Sequence, residues 1–356
     1  MKDKCSKCRQ LFSDEQLTKF GEEYYCPKCL DEETVVCREC KKRIKRIENH
    51  GTDSYPLCSE CRERDYYYCR DCGALIHRHV AKFINGEPYC TACYDDYYEN
   101  TIHEYDYKPC PIFYGDNNRY FGVELEIDGA GESNENADTI LNVGNEIREH
   151  IYAKHDGSLC DGFEIVSHPM TIDYHMNNMC WDRVLDKADK LGYSSHNTKT
   201  CGLHIHVSRK ALGENYDQQD ETIGRIVYFV EKHWDKLLKF SRRTQYQLER
   251  WAARYGHRAH PKEMLEHVKN GNWNRYTCVN LENYNTIEFR IFRGTLKFNT
   301  FIATLQMVNK ICDVALSFSD EELCELEWND FVNKITEKEL LTYLQERELT
   351  EVNKNV

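Results

Sequence analysis

Twelve cysteines in the first 93 residues form six Cys-x-x-Cys pairs, Cys5/Cys8, Cys26/Cys29, Cys37/Cys40, Cys58/Cys61, Cys69/Cys72 and Cys90/Cys93, and the pattern recurs every 32 residues. That register is a threefold internal repeat. Within each unit seventeen residues separate the two pairs, a spacing that lets two short knuckles offer four thiolates to one tetrahedral ion. A unit this small cannot bury enough apolar surface to fold alone, whereas one structural zinc contributes on the order of 10 kcal/mol to folding. Residues 1–96 are therefore expected to hold three structural Zn2+ ions, with these twelve cysteines as ligands. Disulfides or dithiol redox sites would not require six pairs in strict register. His50, His77 and His79 lie near the pairs, but each unit already has four thiolates, so they are read as surface residues.

The other seven of the 19 cysteines, Cys110, Cys160, Cys180, Cys201, Cys278, Cys312 and Cys324, share no spacing. Unpaired thiols fit a reducing compartment, and the expectation is a cytoplasmic protein. No run of 18 apolar residues occurs and the start, Met1-Lys2-Asp3-Lys4-Cys5, has no apolar stretch, which disfavours a membrane span and secretion. The net charge of -13, with 17 Lys and Arg against 18 Asp and Glu in residues 1–96, argues against a nucleic-acid partner. The run Lys41-Lys42-Arg43-Ile44-Lys45-Arg46 is the exception and is read as a solvated loop. The segments Gly21-Glu22-Glu23-Tyr24-Tyr25-Cys26 and Asn85-Gly86-Glu87-Pro88-Tyr89-Cys90 resemble the hairpins of LIM and zinc-ribbon modules; with nucleic acid disfavoured by the charge balance, protein contact is the expected role of the zinc unit.

A chain of 356 residues has room for two or three folding units. Residues 97–118 lack helical or alternating periodicity and are expected to be a linker before a catalytic domain at 119–318. Four segments of that domain alternate apolar residues with ligand-type residues. In Tyr120–Ile127, Phe121, Val123, Leu125 and Ile127 share one face, and Glu124 and Glu126 the other. In Cys201–Ser208, Leu203, Ile205 and Val207 oppose His204 and His206. In Thr286–Gly294, Ile287, Phe289 and Ile291 oppose Glu288 and Arg290, with Arg293 at the strand end. Asp156-Gly157-Ser158-Leu159 turns into Phe163–Pro169, where Glu164 lies opposite Phe163 and Ile165. One such strand is an ordinary half-exposed strand. Four whose polar faces carry only Glu, His and Arg at the centre supply the groups that hard cations and phosphate oxygens require.

Helical spacing of apolar residues marks 134–152, 220–240 and 299–317. The expected architecture is α+β: a mostly antiparallel sheet with helices on one face and an open polar face that forms the pocket. After Ser319 a capping-box start, Ser-Asp-Glu-Glu-Leu, opens an acidic helical tail over 319–356, read as a packing appendage.

Taken in order, Phe-Gly-Val-Glu-Leu-Glu-Ile, Asp-Gly-Ser-Leu with Glu-Ile-Val-Ser-His-Pro, Gly-Leu-His-Ile-His-Val-Ser, Ser-Arg-Arg at 241–243, and Asn280-Leu281-Glu282-Asn283 leading into Thr-Ile-Glu-Phe-Arg-Ile-Phe-Arg-Gly-Thr resemble the amidoligases related to glutamine synthetase and γ-glutamylcysteine synthetase, particularly the phage-type branch, over roughly residues 119–315. The resemblance implies an ATP-dependent carboxylate-amine ligase that phosphorylates a carboxylate and displaces the phosphate with an amine. Glu124, Glu126, Glu164 and Glu288 would hold two or more Mg2+ ions. His204 or His206 would complete a metal site or touch a nucleotide phosphate, and Arg290 and Arg293, with Arg243 beside them, would bind the moving phosphoryl group. Asp156 would take a proton from the attacking amine or add to metal binding.

Glu214–Gln219 and Tyr255–Asn274 match nothing in that pattern and are the expected place for an amine-binding loop. A metal-dependent hydrolase is the rival enzyme, which the two arginines disfavour, and a non-catalytic zinc-module adaptor is the rival outside enzymes. The family joins glutamate to ammonia, cysteine or polyamines. The expectation here is a protein or peptide substrate, recruited by the zinc unit.

Overall fold

In a computed structural model, described for residues 2–350 except 85, 99, 100, 197 and 199, the chain forms two compact units, Met1–Glu99 and Asn100–Val356. Asn85, in the zinc-ribbon-like hairpin of the third repeat, and the end of the acidic tail, 351–356, lie outside the described residues.

Each zinc repeat ends in a short helix whose start carries the second cysteine pair. Cys26 is the N-cap of Pro27–Glu33 and Cys58 that of Ser59–Asp65, so Cys29 and Cys61 sit in the first helical turn, and the Cys26 N–H at the helix start donates to Cys5 Sγ at 3.3 Å. The first pair lies in a knuckle closed by Arg9 N–H to Cys5 O, Lys41 N–H to Cys37 O and Gly73 N–H to Cys69 O. All three closing residues have positive φ, 65°, 61° and 70° respectively. Only the third repeat places glycine there, the residue that adopts this conformation without a steric penalty.

The second unit is built on a mixed sheet that, among the described residues, has seven strands in the order Ile102–His103, Ile151–Lys154, Gly162–Ser167, Phe121–Asp128, Gly202–Ser208, Thr286–Arg293 and Val279–Asn280. Every pairing is antiparallel except that of the Ile102–His103 edge strand. One face is apolar: Phe121, Val123, Leu125, Ile127, Phe163, Ile165, Leu203, Ile205, Val207, Ile287 and Phe289 are all fully buried in one cluster with residues of the helices Tyr216–Lys232 and Phe298–Ser317. Removing one such side chain to alanine costs about 2–5 kcal/mol.

Period-two alternation predicts the site strands closely, with one refinement. A bulge between the Leu203/Phe292 and Ile205/Phe289 pairs inserts an extra residue into the Thr286–Arg293 strand. Strict alternation would send Arg293 to the apolar face with Ile291, but the bulge shifts the phase and sets Arg293 opposite Gly202.

Helical spacing misleads over 134–152. The helix Asn134–Gly144, capped by Ser133 on the Asn136 N–H, stops early, and Ile151 opens a strand while Ile147 is exposed. Over 220–240 there are two helices, Tyr216–Lys232 and Trp234–Ser241, broken at His233. The segment 97–118, read from sequence as a linker, largely belongs to the second unit, for Ile102–His103 joins the sheet edge and Tyr114 enters the core; residues 99 and 100 lie outside the described residues. The segment after Ser319 starts with the expected capping box to Glu322. Its Trp328, Phe331, Leu340 and Leu344 pack into the same core. Among the described residues, no helix is long and apolar enough to cross a membrane.

Candidate active site

The polar face of the sheet collects its ligand-type residues by cross-strand pairing. Glu124 stands opposite His204, Glu126 opposite Glu164, and His206 opposite Glu288. His206 Nε2 lies 3.2 Å from Glu124 Oε1. His204 Nδ1 lies 3.4 Å from Glu124 Oε2 and 3.6 Å from Glu288 Oε1, and its Nε2 lies 3.8 Å from Glu126 Oε1. Among the possible metal-ligand sets that result are two triads, Glu124/His206/Glu288 and Glu124/Glu164/His204, each with its donor atoms within 4.8 Å of one another. Glu124 belongs to both.

The groups around the cluster fix its carboxylates. Gly202 N–H donates to Glu126 Oε2 at 2.6 Å. Asn280 Nδ2 and Asn283 Nδ2 donate to Glu288 Oε2 at 2.8 and 3.3 Å, and Arg290 Nη1 pairs with Glu288 Oε1. Thr286 Oγ1 lies 3.2 Å from His206 Nδ1.

This face is not open. Glu126, Glu164, His204 and Glu288 are each at most 4% exposed, and the turn at 156–158, Thr200, Trp251, Arg275, Tyr276 and Tyr105 lie around Glu126 and His204. Between them lies a cavity of about 300 Å3, lined also by Glu126, His204, Arg243 and Arg290. None of the described residues in Glu214–Gln219 or Tyr255–Asn274 lines it. The flanking Trp251, Arg275 and Tyr276 do so instead.

Burial and charge set the protonation of the cluster. Burial alone would raise Glu124, but His206 and His204 outweigh it and hold that carboxyl well below the usual range. Burial lowers His206, yet Glu124 and Glu288 bring it up to about 9. Burial, reinforced by Glu124 and Glu126, pushes Glu164 well above the usual range, and burial likewise raises Glu126 against the pull of His204 and Arg243. Glu288 is lowered: burial acts against this, and His206 and Arg290 prevail. The cluster thus takes up protons to offset crowded negative charge, which is the position a divalent cation would fill. Carboxylates in the majority suit a hard cation such as Mg2+, with imidazole as the odd ligand.

Arg243 is 7% exposed, lowered to about 10 chiefly by burial, and donates no side-chain hydrogen bond to the described residues. Gly202 makes room for it: a Cβ there would fall 2.4 Å from Arg243 Nη2 and 2.6 Å from His204 Nε2. Asp156 lines the cavity and caps its own turn through the Ser158 N–H at 2.6 Å. Arg293 does not line the cavity and donates from Nη2 to Thr198 O at 3.3 Å.

Several residues of the face went unread in the sequence. Tyr152 and Lys154 join it from the Ile151–Lys154 strand, where Lys154 pairs with Glu164. The alternation of Ile151 and Ala153 with Tyr152 and Lys154 was the available signal. Tyr105, Arg275 and Tyr276 come from loops and Trp251 from the end of the short helix Gln245–Trp251, and these left none.

The zinc unit brings together the expected sets Cys5/Cys8/Cys26/Cys29, Cys37/Cys40/Cys58/Cys61 and Cys69/Cys72/Cys90/Cys93. Cys40 Sγ to Cys58 Sγ is 3.7 Å and Cys72 Sγ to Cys90 Sγ is 3.8 Å, close to the edge of about 3.8 Å that a tetrahedron with Zn–S bonds of about 2.3 Å requires. A disulfide would need about 2.05 Å. Burial would raise the Cys37 thiol, but N–H groups of Cys58, Cys40 and Glu39 lower it to about 6. Cys61 is pushed up to about 12 by burial and the neighbouring sulfurs. The donor sets fit three structural zinc ions.

Residues 144–312 match the family model described as "Putative amidoligase enzyme". The match takes in just under half of the chain. It includes Glu164, His204, His206, Glu288 and Arg290, while Tyr105, Glu124 and Glu126 lie before it. No curated protein matches the chain.

Proposed function

We propose that the second unit is an ATP- and Mg2+-dependent carboxylate-amine ligase, related to the phage-type and glutamine synthetase-like amidoligases, that forms an amide or isopeptide bond through an acyl phosphate. The observation that carries this reading is the pair of triads sharing Glu124 beside a cavity into which Arg243 and Arg290 project. Similarity to an amidoligase family over 144–312 supports it.

Glu124, Glu164 and Glu288, with His204 and His206, would hold two cations, which when bound neutralise phosphate charge. Arg290, anchored on Glu288, and Arg243, which lines the cavity beside it, face the phosphoryl group as a carboxylate oxygen bonds to the γ-phosphorus and ADP leaves. The amine nitrogen then bonds to the acyl carbon and phosphate departs. Asp156 and Glu126 flank the cavity, where either carboxylate is placed to accept the amine's proton. The zinc unit would recruit a protein or peptide substrate, in the cytoplasm.

The test is turnover of Mg·ATP by the purified full chain across a panel of carboxylates and amines, with products read by mass. The ligase reading expects ADP, phosphate and a product lighter by one water than its two precursors. Cleavage of an amide without ATP would replace it with the hydrolase, and absence of both activities and of Mg·ATP binding with the adaptor.

A further inference from the structure

The two edges of the sheet meet above the candidate site. Tyr105 follows the Ile102–His103 strand at one edge, and Arg275 and Tyr276 precede the Val279–Asn280 strand at the other. Arg275 donates through Nη1 to the Tyr105 hydroxyl and through Nη2 to the Tyr276 hydroxyl, the latter at 3.0 Å. Cations and rings alternate along the crossing. Lys154 Nζ lies 5.2 Å from the centre of the Tyr105 ring, the Arg275 guanidinium 5.6 Å from Tyr105 and 5.0 Å from Tyr276, and the Arg290 guanidinium 5.8 Å from Tyr276. Arg290 ends the ladder on Glu288. Tyr105 is 47% exposed, whereas His204 on the same cavity is 4% exposed, so the ladder arches over the mouth with the carboxylate cluster beneath.

We propose that the Tyr105–Arg275–Tyr276 arch selects substrates and excludes water at this site. It admits a reacting group on a slender, flexible stem, such as a side chain or a chain end of a peptide, and refuses one held flat on a folded surface. The inference rests on the ligase reading, because an acyl phosphate needs shelter: if water attacks, its oxygen bonds to the acyl carbon, the bond to phosphate breaks, and the original carboxylate returns with one ATP wasted. Cation–π contacts on exposed rings are individually weak, so the arch can open for entry and close again. Tyr276 also buttresses Arg290, which makes the three residues positioning residues. Tyr105 lies outside the family match.

The experiment compares the full-length wild type with Tyr105→Ala, Arg275→Ala, the double variant and Tyr105→Phe, which keeps the ring over Lys154 and Arg275 and controls for folding. Two readouts are taken. The first, independent of catalysis, is the rate at which diethylpyrocarbonate modifies His204, followed by mass without added Mg2+; both alanine variants should react roughly tenfold faster, Tyr105→Phe by less. The second is ADP formed per amide bond, with a short glutamyl peptide and methylamine as probes. It should rise several-fold in the alanine variants, and the double variant should match the singles because the arch fails as a unit. Unchanged His204 rates in both alanine variants, or effects that multiply in the double variant, would overturn the arch. A wild type that makes no ADP with any carboxylate and amine sinks the ligase reading instead, and the His204 rates still decide whether the arch closes the mouth.

Discussion

Glu124 and His206 meet diagonally across neighbouring strands with Oε1 and Nε2 3.2 Å apart, while the other oxygen of Glu124 lies 3.4 Å from Nδ1 of His204, the residue directly opposite. A single carboxylate thereby joins two ligand triads, and the chemistry of the whole cluster passes through it.

Glu124→Gln keeps the shape of that side chain and withdraws its charge from both triads. Affinity for Mg·ATP should fall by more than about 100-fold, since changes even to outer-shell partners of a metal site cost about 10–100-fold. Isothermal calorimetry of the variant decides; wild-type affinity would mean that the shared carboxylate holds no cation.

Gly202→Ala should act on the site rather than on the fold. The new Cβ would press on the ends of the Arg243 and His204 side chains, and displacing catalytic groups by about 1 Å costs roughly 100-fold in rate. Ligase turnover should drop by that order, with the thermal midpoint little changed. A large loss of thermal stability with normal turnover per folded molecule would contradict the placement.

The zinc unit should carry three zinc ions per chain, and Cys37→Ser should carry two. Because a structural site contributes on the order of 10 kcal/mol, the middle repeat of the variant should become sensitive to protease while the others stay protected. Elemental analysis beside limited proteolysis checks both statements, and a wild-type content below three would undo the repeat assignment.

Lys41→Gly should stabilise the middle knuckle by about 1 kcal/mol, because Lys41 closes it at φ 61° where glycine pays no steric penalty. Chelator concentration at half-loss of zinc is the measurement. A shift toward easier loss would show that the lysine side chain matters more than its backbone.

Acid should destabilise the second unit before its surface carboxylates titrate. His175 is fully buried; its Nε2–H donates to Phe121 O at 3.1 Å and its Nδ1 accepts from Trp181 Nε1 at 3.0 Å. The neutral ring satisfies both partners, whereas a protonated Nδ1 would oppose the indole N–H. Burial lowers His175 to about 4, and burial does the same for His233. The unfolded chain binds these protons first, near pH 6.5, so the stability they confer is complete above that pH and is lost as pH falls toward 4. Each contributes on the order of 3 kcal/mol. Denaturant midpoints at pH 7.5, 6 and 5 should decline steadily, and a flat profile would reject the assignment.

Strand residues were legible because their signal is local. Phe121, Val123, Leu125 and Ile127 alternate with Glu124 and Glu126 whatever the strand pairs with, and burial of the apolar set turns the acids to the other face. Helix ends were less so: Ile147 and Ile151 extend the helical spacing past Gly144, but tertiary pairing with Gly162–Ser167 claims Ile151 for a strand. Arg293 shows the limit within a strand, since a bulge one turn of the pleat earlier changes the side it faces.

From the amino-acid order alone came the three thiolate sets and the two faces of the central strands, because chelation by Cys-x-x-Cys and the period of a strand each act over a few neighbouring residues. Folding in three dimensions decided that Glu124 is shared, that Gly202 yields its space to Arg243, and that Tyr105 and Arg275, separated by 170 positions, close one cavity. Those relationships depend on which strands pair and where loops cross them, and contacts so distant along the chain leave no periodic trace in it.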